Sequence, residues 1–165
     1  MPERETLKRA RRDKEQGKAP TTQAGEFVRE EIHHVREGKH GARSPEQAIA
    51  IGLSKARRAG VELPPPPRTA KPETKRSAES ATRAAKRHKA PSPRRARAIS
   101  TALKREGRRA ASHEALARHA KVAARRRSPT ERSMAAEKAA RTKGPRVRKA
   151  AARKAAKTRQ RRRRD

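Results

Sequence analysis

Arginine and lysine cluster tightly along the second half of this sequence: Arg94, Arg95 and Arg97; Arg125, Arg126 and Arg127; Arg146, Arg148 and Lys149; Arg153 and Lys154; Arg161, Arg162, Arg163 and Arg164. Such an array has one general chemistry, the binding of phosphates. It needs only cations at flexible spacing, and each neutralised phosphate releases condensed counterions, so affinity falls steeply with salt. Arginine outnumbers lysine in these clusters, which favours forked phosphate contacts and insertion of weakly hydrated guanidinium groups into a narrow minor groove. Earlier in the chain, Lys55, Arg57 and Arg58 are three more cations on one short stretch, and they read as phosphate contacts rather than base-edge readers.

Other chemistries find little support. The six histidines do not assemble by spacing: His33 and His34 are adjacent, His34 and His40 are separated by Gly38, and His113 and His119 lie six apart. HExxH spacing is absent, so no metal site is expected. Glu30 with His34, and His33 with Glu37, read as ordinary i,i+4 helix pairs. There is no Cys, which removes thiolate metal sites, disulfides and Cys nucleophiles. There is also no GxGxxG, no P-loop and no nucleophile elbow, and Phe27 is the one aromatic of the Phe, Trp and Tyr set. A base-stacking RNA or single-strand reader therefore lacks its platforms. So few large apolar side chains cannot line a concave site, and neither enzymatic activity, a small-molecule substrate nor a cofactor is expected.

The 165 residues carry 49 Lys and Arg against 17 Asp and Glu. Self-repulsion on that scale calls for a polyanion partner, most commonly nucleic acid. Charge divides at Pro64–Pro67, with 14 Lys and Arg against 10 Asp and Glu before it and 35 against 7 from there on. No apolar run approaches the roughly 20 residues that span a bilayer, and the start MPERETLKRARRDKEQ has no apolar stretch for a secretory signal. A soluble, intracellular protein without a membrane partner is expected.

The elements that must carry these cations follow from punctuation. In TQAGEFVREEIHHVRE (22–37), Ala24, Phe27, Val28, Ile32 and Val35 share a helical face, and Gly38 ends the helix. Ser44 as N-cap, Pro45 at the first helical position, Gln47 completing a capping box and Gly60 as the stop define a second helix. Ala48, Ile49, Gly52, Leu53 and Ala56 form its apolar stripe, and Val61 sits where a Schellman motif makes its apolar contact. These two make a helical hairpin over 21–63, closed by GKHGAR (38–43), with Phe27 meeting Leu53. Residues 1–20 read as a charged disordered arm and 64–91 as a Pro-rich linker whose four prolines stiffen it. Residues 92–165 read as a basic tail of short Ala/Arg/Lys helices started at Ser92-Pro93, Ser112 and Ser128-Pro129. SPRRARAI (92–99) echoes SPEQAIAI (44–51). With large apolar residues scarce, the fold class expected is mostly α with extensive disorder, the tail becoming helical on phosphate neutralisation.

Residues 25–63 resemble a widespread family of small basic bacterial proteins of unknown function. Its pattern is F-V-x-E-x-x-H/K-x-x-x-x-G-K followed by an R/K-S-x-x-Q-A-I-A-I-x-L-S-x-A-R-x-A-G block. Here it is carried by Phe27, Val28, Glu30, His33, Gly38 and Lys39, then by Ser44, Gln47, Ala48, Ile49, Ala50, Ile51, Leu53, Ser54, Ala56, Arg57, Ala59 and Gly60. The resemblance implies a bacterial origin and a nucleoid-type role, and it brings no catalytic residues. The tail is similar in composition to linker-histone and bacterial histone-like tails. Ser92-Pro93-Arg94-Arg95 resembles the S-P-K/R-K/R element of histone tails, which presents two cations to a minor groove, but the echo at Ser44-Pro45 favours reading it as a helix start, and the two readings can coexist. The function expected is non-sequence-specific binding and compaction of duplex DNA in the cytoplasm, at the nucleoid. RNA or ribosome association is the alternative, as is a hairpin that docks a protein partner or self-associates while the tail tethers it.

Overall fold

Proline opens and glycine closes many of the helices in this chain, whose computed structural model describes residues 2–87 and 92–161. The helices are α1 (Arg4–Glu15), α2 (Pro20–Glu37), α3 (Pro45–Arg58), α4 (Pro72–Lys86), α5 (Pro93–Lys104), α6 (His113–Arg125) and α7 (Pro129–Arg161), with a short 3-10 turn at Arg109–Ala111. Five of them begin on Pro, whose fixed φ suits the first turn and whose missing N–H is not needed there. The chain forms two units, Met1–His119 and Ala120–Asp165.

The hairpin expected over 21–63 is present as α2 and α3, with the caps its residue types predict. Ser44 Oγ accepts from Gln47 N at 3.3 Å, and Gln47 Oε1 reaches back to Arg43 N at 2.7 Å. Gly38 (φ +77°) and Gly60 (φ +86°) close the two helices in the left-handed region. Lys39 N bonds His34 O at 3.0 Å and Val61 N bonds Ala56 O at 3.1 Å, the Schellman pattern in both cases. At Gly52 the helices approach so closely that a Cβ would stand 2.7 Å from Val28 Cα. Phe27 is fully buried with Ala10, Ala24 and Ala56, and Leu53 packs on this cluster as expected.

The expectation of extensive disorder is overturned, because both flanks of the hairpin are helical. Residues 4–15 form α1 rather than a disordered arm. Thr6, Ala10 and Asp13 are buried on one face of α1, and Leu7 reaches the Phe27 cluster. Arg9 Nε donates to Glu26 Oε2 at 2.6 Å. Within the expected linker, residues 72–86 form α4, which packs on α3 and buries Ala78 and Ala81. The four prolines before it carry neither helix nor strand.

The start of the expected tail belongs to the core of the first unit. Ala110 and Ala111 are buried with Ile32, Val35, Ala42 and Ala48, with Leu116 packed against them. Gly41 N donates to Leu103 O at 2.8 Å, Ala42 N to Gly107 O at 3.0 Å and Arg36 Nε to Ala111 O at 2.8 Å. The physical reason lies in residue size. Alanine and glycine let backbones approach closely enough to bury surface and pair polar groups without large side chains, so the scarcity of large apolar residues understates this core.

The second unit is a cationic helical segment without a buried residue among those described. Ser128, read from sequence as a helix start, forms a reciprocal capping box with Glu131: Glu131 N donates to Ser128 Oγ at 3.2 Å and Ser128 N to Glu131 Oε2 at 2.8 Å. The Ser128 N–H and hydroxyl hold the Glu131 carboxyl below its ordinary range. At Gly144 (φ +66°, ψ 166°) the helical path of α7 breaks, and Pro145 restarts it. Ser112 caps α6 through Ala115 N at 3.1 Å, whereas Ser92 makes no such side-chain bond at α5.

Candidate functional site

Two groupings of polar side chains stand out, one on the surface and one inside the hairpin. The surface grouping is the cation array. Arg94, Arg95 and Arg97 occupy the first turns of α5, none of whose residues is buried. Arg125 ends α6, and Arg126 and Arg127 follow it. Arg146, Arg148, Lys149, Arg153, Lys154 and Arg161 lie on α7 beyond its break. All of these are exposed, and among the described residues none is bridged to a carboxylate. Arg162, Arg163 and Arg164 lie outside the described residues. Helical spacing sets Arg146, Lys149, Arg153, Lys157 and Arg161 along one face.

The three cations expected on α3 separate. Arg58 is exposed. Arg57 is half-buried and donates to Pro64 O at 3.1 Å, and desolvation pushes its pKa down. Lys55 turns inward, its Nζ 3.1 Å from Glu30 Oε1 and 2.7 Å from Glu31 Oε2, so its charge serves two buried carboxylates instead of phosphates. Burial opposes that charge, but Glu31 and Glu30 outweigh it and hold the Lys55 pKa above its ordinary value.

The internal grouping is not legible as a unit in the sequence. Glu30 and Glu31 have side chains 1% and 0% exposed. Burial alone would raise the Glu30 pKa, yet the Thr6 hydroxyl, the Glu3 N–H and Lys55 lower it. His34 does not pair with Glu30 one turn earlier as the i,i+4 reading expects. Its Nε2 instead lies 2.9 Å from Glu3 Oε1, because α1 brings Glu3 over the end of α2. Likewise Glu37 meets Lys39, at 3.2 Å, and Lys39 also reaches Glu3 at 3.1 Å. His34 and Lys39 together hold the Glu3 carboxyl down to about 2. His40 Nε2 lies 3.1 Å from Glu31 Oε1. The signal that could have found this cluster is Gly38, whose left-handed turn folds His40 back toward the helix it has just left. Its residue type announces the helix stop but not what the turn brings back.

The α2–α3 hairpin, which carries Glu30, Glu31, His34, His40 and Lys55 of this cluster, lies within the stretch that has a known likeness. Residues 11–67 match the model of a family of unknown function, DUF6496. The matched stretch takes in all of α2 and α3 and ends in the prolines. It covers about a third of the chain and leaves α4–α7 outside. No curated relative and no solved structure matches the chain. No helix among the described residues is long and apolar enough to cross a membrane.

Proposed function

We propose that this protein coats duplex DNA by neutralising phosphates, with little base specificity and no catalytic step. The observation that carries the reading is the set of exposed cations on α5, α6 and α7, which meet no carboxylate among the described residues. Charge that is neither paired nor folded inward is available to a polyanion, and cationic self-repulsion is relieved when one binds. The α7 stripe from Arg146 to Arg161 rises about 22 Å at 1.5 Å per residue. A duplex presents roughly a dozen phosphates over that length, at one charge per ~1.7 Å, so every cation of the stripe can find a partner. Phosphates carry no direct sequence information, and exposed helical arginines without a groove-shaped support read as backbone contacts. A nucleoid-associated role follows if the partner in the cell is chromosomal DNA.

The test is a titration of the full chain with unrelated DNA duplexes and matched RNA duplexes over a range of salt. Affinities for the unrelated DNA duplexes within a few-fold of one another, all falling steeply with salt, support the proposal. A strong preference for the RNA duplex transfers the reading to an RNA-associated protein. Salt-insensitive binding, or none, overturns it.

A further inference from the structure

We propose that Glu31, His34 and His40 form a site for a divalent transition-metal ion, with zinc best suited to its donors. One ring nitrogen from each histidine and a carboxylate oxygen of Glu31 all lie within 4.8 Å of one another. Two imidazoles and a carboxylate, with no thiolate, are a borderline donor set of the kind zinc takes in open sites.

The second observation is Glu31 itself. It is completely buried, and neither carboxylate oxygen has a hydrogen-bond partner. Lys55 Nζ at 2.7 Å and His40 Nε2 at 3.1 Å are close enough to attract it but lie outside hydrogen-bonding directions. A buried anion without hydrogen bonds is costly and calls for a further cation.

The orientation of His40 says where that cation belongs. Its Nδ1 faces Gly41 O at 3.0 Å. A carbonyl only accepts, so Nδ1 donates there, and a ring with one proton then presents a bare Nε2 to Glu31 Oε1. Two acceptors 3.1 Å apart need a proton or a metal between them. Zinc bonds of about 2.0–2.1 Å at a tetrahedral angle place neighbouring donors roughly 3.3 Å apart.

The surroundings complete the argument. Glu3 Oε1 on His34 Nε2 and Gly41 O on His40 Nδ1 resemble the outer contacts that orient metal-binding imidazoles. The buried part of the cluster holds two carboxylates, Glu30 and Glu31, against one ammonium group, Lys55, which leaves a negative charge for a bound cation to offset. Of the three ligands, His34 borders an open cleft of about 360 Å³. Three protein donors leave a position for water.

The experiment is a titration of the chelator-treated full chain with Zn²⁺, read by calorimetry and thermal midpoint, and with Co²⁺, read by its visible absorption. One ion per chain, a raised midpoint and a tetrahedral Co²⁺ spectrum are expected. His40→Gln should weaken binding at least about tenfold, whereas His33→Gln and His119→Gln, which change histidines outside the site, should not. Should His40→Gln lose its helical signal, His34→Gln carries the same expectation. No binding, or binding that the site variants leave unchanged, overturns the proposal and leaves an ion-pair cluster in which a protonated His40 serves Glu31.

Discussion

At Gly41 a hydrogen stands where any other residue would set a carbon 1.9 Å from the carbonyl oxygen of Glu106. The obstructing atom is backbone, which cannot swing aside as a side-chain end can. Gly41→Ala should therefore break the bonds from Gly41 and Ala42 to Leu103 and Gly107, at a cost of about 1–3 kcal/mol or more. Amide exchange at positions 41 and 42 measures this, and unchanged protection would show that the loop does not seat there. Gly52→Ala meets Val28 Cα at 2.7 Å and should also lower the thermal midpoint. Glu3 gives a pH signature. Its carboxyl is lowered from 4.5 to about 2 by His34 and Lys39. A depressed folded-state pKa means that its contribution is present above pH 4.5 and is lost as pH falls from there through about 2. Carboxyl NMR should find a Glu3 midpoint far below the ordinary range, and Glu3→Gln should flatten the midpoint-against-pH curve in that window.

Helix boundaries were the most legible elements. Ser44, Gly38, Gly60, Ser112 and the Ser128–Glu131 box act as their residue types dictate, since capping is a local matter of one side chain and three or four backbone groups. Docking was not legible. Ala10, Ala78, Ala81, Ala110 and Ala111 are buried, yet in sequence they are indistinguishable from the alanines of α7, which are not. Only the partner surface decides between them, and no partner can be read from a run of alanines. The buried carboxylates escaped for a related reason: Glu30 and Glu31 carry the same charge as solvent-facing glutamates and differ by the presence of Lys55 from another helix. Two outcomes follow for elements. Far-UV circular dichroism of the full chain without nucleic acid should show abundant helix, with little gain on adding duplex DNA. A large gain would return the tail to coupled folding. Ser128→Ala should cost the start of α7 roughly 1 kcal/mol, seen as faster exchange confined to its first turn.

For the molecule as a whole, charge is divided evenly along an uneven length. Residues 120–165 hold 19 Lys and Arg against 3 Asp and Glu, half of the net +32. Changing Arg125, Arg126, Arg127, Arg146, Arg148, Lys149, Arg153 and Lys154 to Gln should reduce the slope of log K against log salt by up to about 7, at ~0.9 for each phosphate left without its cation. An unchanged slope would count against these cations as phosphate contacts. The seating of Ala110 and Ala111 among Ile32, Val35, Ala42 and Ala48 also has a consequence in time. A chain made from its N-terminus at ~5–20 residues per second finishes the hairpin several seconds before the alanines that cover one end of it exist. For that interval the newborn protein presents a bare apolar face, and maturation waits for a segment that binds no differently from any other alanine stretch until it arrives. A ribosome stalled between the two would hold a hairpin with caps in place and one cluster still open to water.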